Sequence, residues 1–188
     1  MKTIAAVLFC TFCLAICSAR VAASAKDDQA AAARAAAGCG PSGVEFEVKA
    51  DKKQHPMAQL EPGKALVYFL HVETQDGGVI SRGWVTTRVG VDGNWVGANH
   101  GKSYFSLAVN PGEHALCTDW QSIHKMYSRQ SAAMNLNAEA GKIYYVRTTV
   151  AETTEHQREP AMKIEAIDSA EGQLLISSSA LSTAAAKK

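Results

Sequence analysis

The sequence predicts an all-β fold, a β-sandwich of about eight short, mostly antiparallel strands with a short C-terminal helix. Three observations carry this reading. Apolar and polar residues alternate with a period of two in segment after segment; Gly, Pro, Asn and Asp cluster between those segments; and one stretch near the C-terminus switches to a helix-start signal.

Lys2, the apolar run from Ile4 to Ile16, and Ala23-Ser24-Ala25 follow the order of a secretory signal. The run is too short to span a bilayer as a mature helix. Residues 1–25 are therefore predicted to be removed, with Val21-Ala22-Ala23 as an alternative cut. Residues 26–38 include Ala30 to Ala37, which has high helix propensity but no apolar stripe to bury, and are read as a flexible spacer. Residues 39–181 are long enough for one domain with a substantial core, and 182–188 read as a disordered tail.

Val44, Phe46 and Val48 alternate with Glu45 and Glu47, which predicts a first strand. Ala65 to Leu70, within Lys64 to Val72, is apolar on both faces and fits a central strand covered on each side. After a turn at Asp76-Gly77-Gly78, the segment from Gly83 to Gly90 leads into Asp92-Gly93. That pair tolerates the positive φ angles of a tight hairpin turn and sits between apolar Val89, Val91 and Trp95. Asn99 to Ser103 reads as a polar loop, and Tyr104 to Val109 as a strand with Phe105, Leu107 and Val109 on one face. Asn110-Pro111-Gly112 then reverses the chain, Pro111 presetting φ and Gly112 accepting a positive value, and Glu113 to Trp120 returns. Ser131 to Asn137 and Lys142 to Val150 flank a turn at Ala138 to Gly141, and Met162 to Ile167 forms a last strand. Asp168 and Glu171 have the spacing of a capping box opening a helix through Leu174, Leu175 and Ser178.

Cys10, Cys13 and Cys17 leave with the signal, so the mature chain keeps Cys39 and Cys117. In an oxidising compartment these predict one disulfide, contributing roughly 4 kcal/mol by chain entropy; two free thiols are the alternative. Lipidation competes with both. Leu14-Ala15-Ile16-Cys17 has bulky Ile16 where a small residue is needed, and Ala37-Gly38-Cys39 lies far from the apolar run. A soluble exported protein, periplasmic or extracellular, is favoured over an anchored one. The formal charge of +1 gives no whole-molecule attraction to nucleic acid or anionic membrane. Local basic character at His124 to Arg129 makes an acidic cell-envelope polymer or envelope protein the candidate partner.

Several runs together resemble a known family: Cys39-Gly-Pro-Ser-Gly-Val-Glu-Phe46, Gln54-His55-Pro56, Gly63 to Phe69, Val89 to Tyr104, Pro111 to Cys117 and Ala140 to Tyr145. They are similar to an uncharacterised bacterial family, the domain of unknown function 2846, over most of the mature chain. Their Asp-Gly and Pro-Gly-Glu-His rhythm is similar to PEGA-type surface β-domains. The resemblance implies an extracytoplasmic β-sandwich and brings no catalytic residues.

The chemistry legible in the chain is sparse. His114, Cys117 and Asp119 are the tightest metal-like group, but on a strand His114 faces one way and the other two the opposite way, so no metal site is predicted. His55 and His156 sit in polar loop sequence, and His71 ends a central strand. His100 stands out, in a loop held by two hairpin strands and close to Trp95, Asn99, Lys102 and Tyr104; with Trp120 these form the candidate recognition surface. There is no Gly-x-Ser-x-Gly elbow and no motif pairing Ser81, Ser103, Ser106 or Ser122 with a histidine and a carboxylate. Gly90, Gly93, Gly97 and Gly101 are turn residues rather than a phosphate-binding loop, and no cofactor is predicted. The expected role is a non-catalytic binding or envelope-associated accessory module. The alternative is a small hydrolase whose site recruits His100, Asp119 or His114 from distant positions.

Overall fold

The computed structural model describes residues 39–53, 55–73, 85–121, 131–152 and 160–187. The expected signal and spacer at 1–38, the expected turn at 76–78, the basic segment at 124–129 and His156 lie outside the described residues.

Ten strands and one helix are seen among them. The strands are β1 (Phe46–Asp51), β2 (Ala65–Glu73), β3 (Thr86–Val91), β4 (Asn94–His100), β5 (Ser103–Val109), β6 (Gly112–Gln121), β7 (Ser131–Ala138), β8 (Ile143–Glu152), β9 (Pro160–Ile167) and β10 (Ala180–Ala186). Helix α1 (Ser169–Ser177) lies between β9 and β10. One sheet has six strands in the order β1-β10-β5-β2-β8-β9, the other four in the order β4-β3-β6-β7. Pairing is antiparallel except for β2 with β8 and β10 with β5.

The all-β sandwich is as the alternation predicts, with two differences. Residues read as a disordered tail from Ser182 onward belong to β10, which zips along β1 from Ala186 opposite Phe46 to Leu181 opposite Asp51. The backbone bonds of an edge strand need a partner, and this segment supplies it. The polar stretch at 99–103 is likewise almost all strand. β4 runs through His100 and only Gly101 and Lys102 turn, with Gly101 at φ 58°.

β2 is central because it is apolar on both faces. Val67 and Phe69 meet Val89, Val91, Leu116 and Leu136 between the sheets. Leu66, Tyr68 and Leu70 point the other way, into a second cluster with Tyr104, Tyr145 and Ile176 under α1. Each such large apolar side chain contributes roughly 2 kcal/mol through burial. At the start of α1 the Asp168 side chain accepts from Glu171 N at 2.9 Å. The Glu171 carboxylate does not return to the cap. It pairs with Arg147, which also holds Glu165 Oε1 at 2.5 Å, so α1, β8 and β9 are tied together. α1 approaches β8 at Gly172, where a Cβ would lie 2.3 Å from the Tyr145 ring.

Residues 39–45 form a strap on the outer face of the four-stranded sheet. A bulge makes room for its anchor. Val89 pairs with Gly97 but Gly90 pairs with Trp95, leaving Val96 as the extra residue. Val96 packs on the inner core, and Trp95 is turned to the outer face, its Nε1 donating to Pro41 O at 2.8 Å. Arg88 lies beneath, its guanidinium 4.2 Å from the Trp95 ring centroid. It makes a two-pronged pair with Asp119 and donates to Val44 O. Cys39 is bonded to Cys117, the disulfide expected from the sequence.

Candidate functional site

β2, β4, β6 and β8 finish at one end of the sandwich, where β3, β5, β7 and β9 begin. Two rows of polar residues face inward there. On the six-stranded sheet, register places Ser103, His71 and Thr148 side by side on β5, β2 and β8. On the four-stranded sheet it places Asn99, Thr87 and Trp120 side by side on β4, β3 and β6. The alternation that turns Phe69, Val146 and Val89 into the core turns His71, Thr148 and Thr87 inward too, two residues along each strand. All six are at most 3% exposed.

The rows are tied across the sandwich. Asn99 Nδ2 donates to Phe69 O at 3.2 Å, and Ser103 Oγ donates to Asn99 Oδ1 at 3.3 Å. Ser103 Oγ also lies 3.2 Å from Ser182 Oγ and accepts from His100 N. The Thr148 hydroxyl donates to Leu70 O at 3.2 Å, so toward His71 Nδ1, 3.1 Å away, it accepts. That places the imidazole proton on Nδ1 and leaves Nε2 as the acceptor. Burial lowers the His71 pKa to about 4, against the raising contact with Thr148, and His100 nearby lowers it further. The ring is thus neutral near pH 7, and neither row carries a formal charge. Thr87 Oγ1 is buried with no hydrogen-bond partner. A buried hydroxyl ordinarily finds one, so the Thr87 hydrogen bond is an unmet one in an otherwise paired region.

The residues predicted to form one recognition surface are dispersed. Asn99 and Trp120 are in the rows, but fully interior. His100 closes β4 beside them, its Nδ1 2.9 Å from Thr86 Oγ1, and Lys102 is exposed in the adjoining turn. Tyr104 points to the opposite face of its sheet, enclosed under α1 with its hydroxyl unpaired. Trp95 anchors the strap. Strand parity and the Val96 bulge send the Trp95, Tyr104 and Trp120 rings to three different surroundings. His71, Thr87 and Thr148 were not singled out as site residues. Their signal is a polar residue continuing an apolar inward face, legible only once strand ends are known.

Asp119 and His114, two groups of the hydrolase alternative, do not meet. Asp119 is held by Arg88 under the strap, and His114 lies on the opposite face of β6, near its start. There His114 Nδ1 donates to Asp92 Oδ2 at 2.6 Å and Nε2 lies 2.7 Å from Asn110 O, joining two turns. Burial works against its protonation, but the Asn110 carbonyl and Asp92 carboxylate outweigh it and raise the pKa. Among the described residues no group of three or more His, Cys, Asp or Glu is placed to hold a metal ion, and no helix is long and apolar enough to cross a membrane.

The family model described as Protein of unknown function (DUF2846) matches residues 61–161, more than half of the chain. The chain belongs to this family. The matched region runs from the turn before β2 to the start of β9 and contains both polar rows, while the strap, α1 and β10 lie outside it. No curated protein and no solved structure matches the chain.

Proposed function

We propose that this DUF2846 protein is an exported, non-catalytic binding module of the cell envelope, removed from its signal near residue 25. Its ligand is a small uncharged group bearing hydroxyls or an amide, presented by an envelope polymer or protein and taken between the two polar rows. The observation that carries this reading is the unpartnered Thr87 hydroxyl on the inward face of one sheet, with the neutral His71 on the inward face of the other, at one end of the core. The Trp120 ring supplies an apolar wall of the kind that accompanies polar groups in small-ligand sites. Export is supported by the order of charge, apolar run and small residues at the N-terminus, and by a disulfide suited to an oxidising compartment.

N-acetylated hexosamine oligomers carry the required hydroxyls and amides without charge, and serve as the probe. Their titration into isotope-labelled protein is expected to give saturable shifts at the amides of His71, Thr87 and Ser103, weakened at least severalfold by Thr87→Val. Saturation without response at those positions would refute the site. Intact mass from the native host, starting near Lys26 and recovered in the soluble extracytoplasmic fraction, tests export; a mature chain retaining residues 1–25 in the cytoplasm would overturn it.

A further inference from the structure

The strap does not merely cover the four-stranded sheet; the way it is held describes a receptor. Trp95 Nε1 reads a main-chain oxygen, that of Pro41, and the same ring lies so close to Gly40 that a Cβ there would fall 2.4 Å from it. Real Cβ atoms do not approach that closely, so the groove admits glycine at this point. Cys117 lies below, buried, as the covalent partner of Cys39. The groove therefore accepts a Cys-Gly-x tripeptide, here Cys39-Gly40-Pro41, through a sulfur, the missing side chain of glycine and a main-chain carbonyl. Further along, the strap is clamped a second time. Arg88 donates to Val44 O, and Gln121 brackets Phe46, accepting from its N at 2.5 Å and donating to its O at 3.0 Å. Between groove and clamp, Pro41, Ser42 and Gly43 are exposed, and Gly43 adopts φ 86° with nothing within 4 Å of a Cβ position. We read Gly43 as a hinge between the half held by Trp95 and Cys117 and the half held by Gln121, with Arg88 touching both.

We propose that the groove formed by Trp95 and Cys117 also accepts Cys39-Gly40-Pro41 of a second copy of this chain, the two copies exchanging these segments reciprocally. A second copy is the partner that carries this tripeptide on an identical hinge, so exchange creates no new contact chemistry and closes with two-fold symmetry. The segment from Gly43 to Cys39 spans at most about 14 Å, which brings the two four-stranded sheets face to face. The covalent step balances simply. A dithiol transfers two electrons and two protons to open Cys39–Cys117; on reoxidation by glutathione disulfide, Cys39 of one copy and Cys117 of the other lose two hydrogens and release two glutathione thiols.

Equal amounts of nitrogen-14 and nitrogen-15 protein are reduced with a dithiol without denaturant, the freed thiols counted, and the mixture reoxidised with glutathione disulfide at several protein concentrations. Peptides linked through Cys39 and Cys117 are expected to carry mixed isotopes in a share that climbs toward half as concentration rises. Linked peptides of a single isotope at every concentration would overturn the proposal. A second arm does not depend on reduction of the native bond. Cys39→Ser protein, keeping Cys117, is mixed with Cys117→Ser protein, keeping Cys39, and the expected product is a covalent heterodimer through the two remaining cysteines. Adding Gly40→Val to the Cys117→Ser chain is expected to lower its yield at least severalfold; equal yield would mean indiscriminate thiol coupling and refute the groove.

Discussion

Thr87 is fully enclosed with an unpaired hydroxyl, and Thr118, on the adjacent strand β6, is equally enclosed but donates to Arg88 O at 2.9 Å. The two make a controlled pair. Removing an unpaired buried hydroxyl while keeping the shape is near neutral, whereas removing a paired one leaves a carbonyl short of its donor. Thr87→Val is therefore expected to leave unfolding free energy unchanged or raise it by up to about 1 kcal/mol, and Thr118→Val to lower it by about 1 kcal/mol. Urea midpoints of the unliganded protein decide this, and equal losses would mean that Thr87 is satisfied. Arg88 makes the stronger case. It is 1% exposed, and Asp119 is almost as enclosed, so Arg88→Met strands a carboxylate under the strap. The expected loss is about 3–5 kcal/mol, with Asp119→Leu in the same chain restoring most of it. A double-mutant cycle with no such recovery would show that the pair is not what holds the two residues.

At the scale of elements, helix α1 sets propensity against packing. Alanine stabilises a helix interior over glycine by about 1 kcal/mol, yet at Gly172 the added Cβ would meet the Tyr145 ring. Tyr145 cannot yield freely, because it is stacked on Tyr68 at 5.4 Å between centroids. Gly172→Ala is thus expected to destabilise the fold by about 1–3 kcal/mol, read from chemical denaturation, and a net gain would mean that the helix shifts without cost. The same element shows what local sequence discloses. Asp168 as cap, and Asp92-Gly93 as a turn with φ 51° and 79°, are short-range facts and were legible. The Val96 bulge was not, because it depends on which residues of β3 sit opposite. The parallel pairing of β2 with β8 was hidden for a similar reason: their partners lie some 77 residues apart, as in Leu66 with Ile143. β10 was missed because Ala184, Ala185 and Ala186 carry little alternation of their own and acquire strand form by pairing with β1. Site residues followed the same division. Loop chemistry suggested His100, but the facing rows become visible only when two sheets are brought into register.

Across the whole molecule, two histidines at opposite ends of the sandwich give the stability profile its two shoulders. His71 titrates at about 4 in the folded state against an ordinary 6.5, so the unfolded chain binds the proton first as pH falls. Its contribution is complete above about 6.5 and is lost on acidification toward 4, an effect of roughly 3 kcal/mol for a depression of that size. His114 has the opposite sign. Its folded pKa is raised, so its contribution is complete below 6.5 and is lost as pH rises through the folded value. A third group acts lower still. Lys163 and then Arg147 hold the Glu165 carboxylate below its ordinary 4.5, and that contribution is lost only under stronger acid. Urea midpoints from pH 4 to 9 are therefore expected to peak near the ordinary histidine pKa and fall on both sides. His71→Gln should flatten the acid limb between 6.5 and 4 and leave the alkaline limb, whereas His114→Gln should do the reverse. If His71→Gln instead altered only the alkaline limb, the enclosed neutral imidazole, and with it the uncharged character of the polar rows, would have to be abandoned.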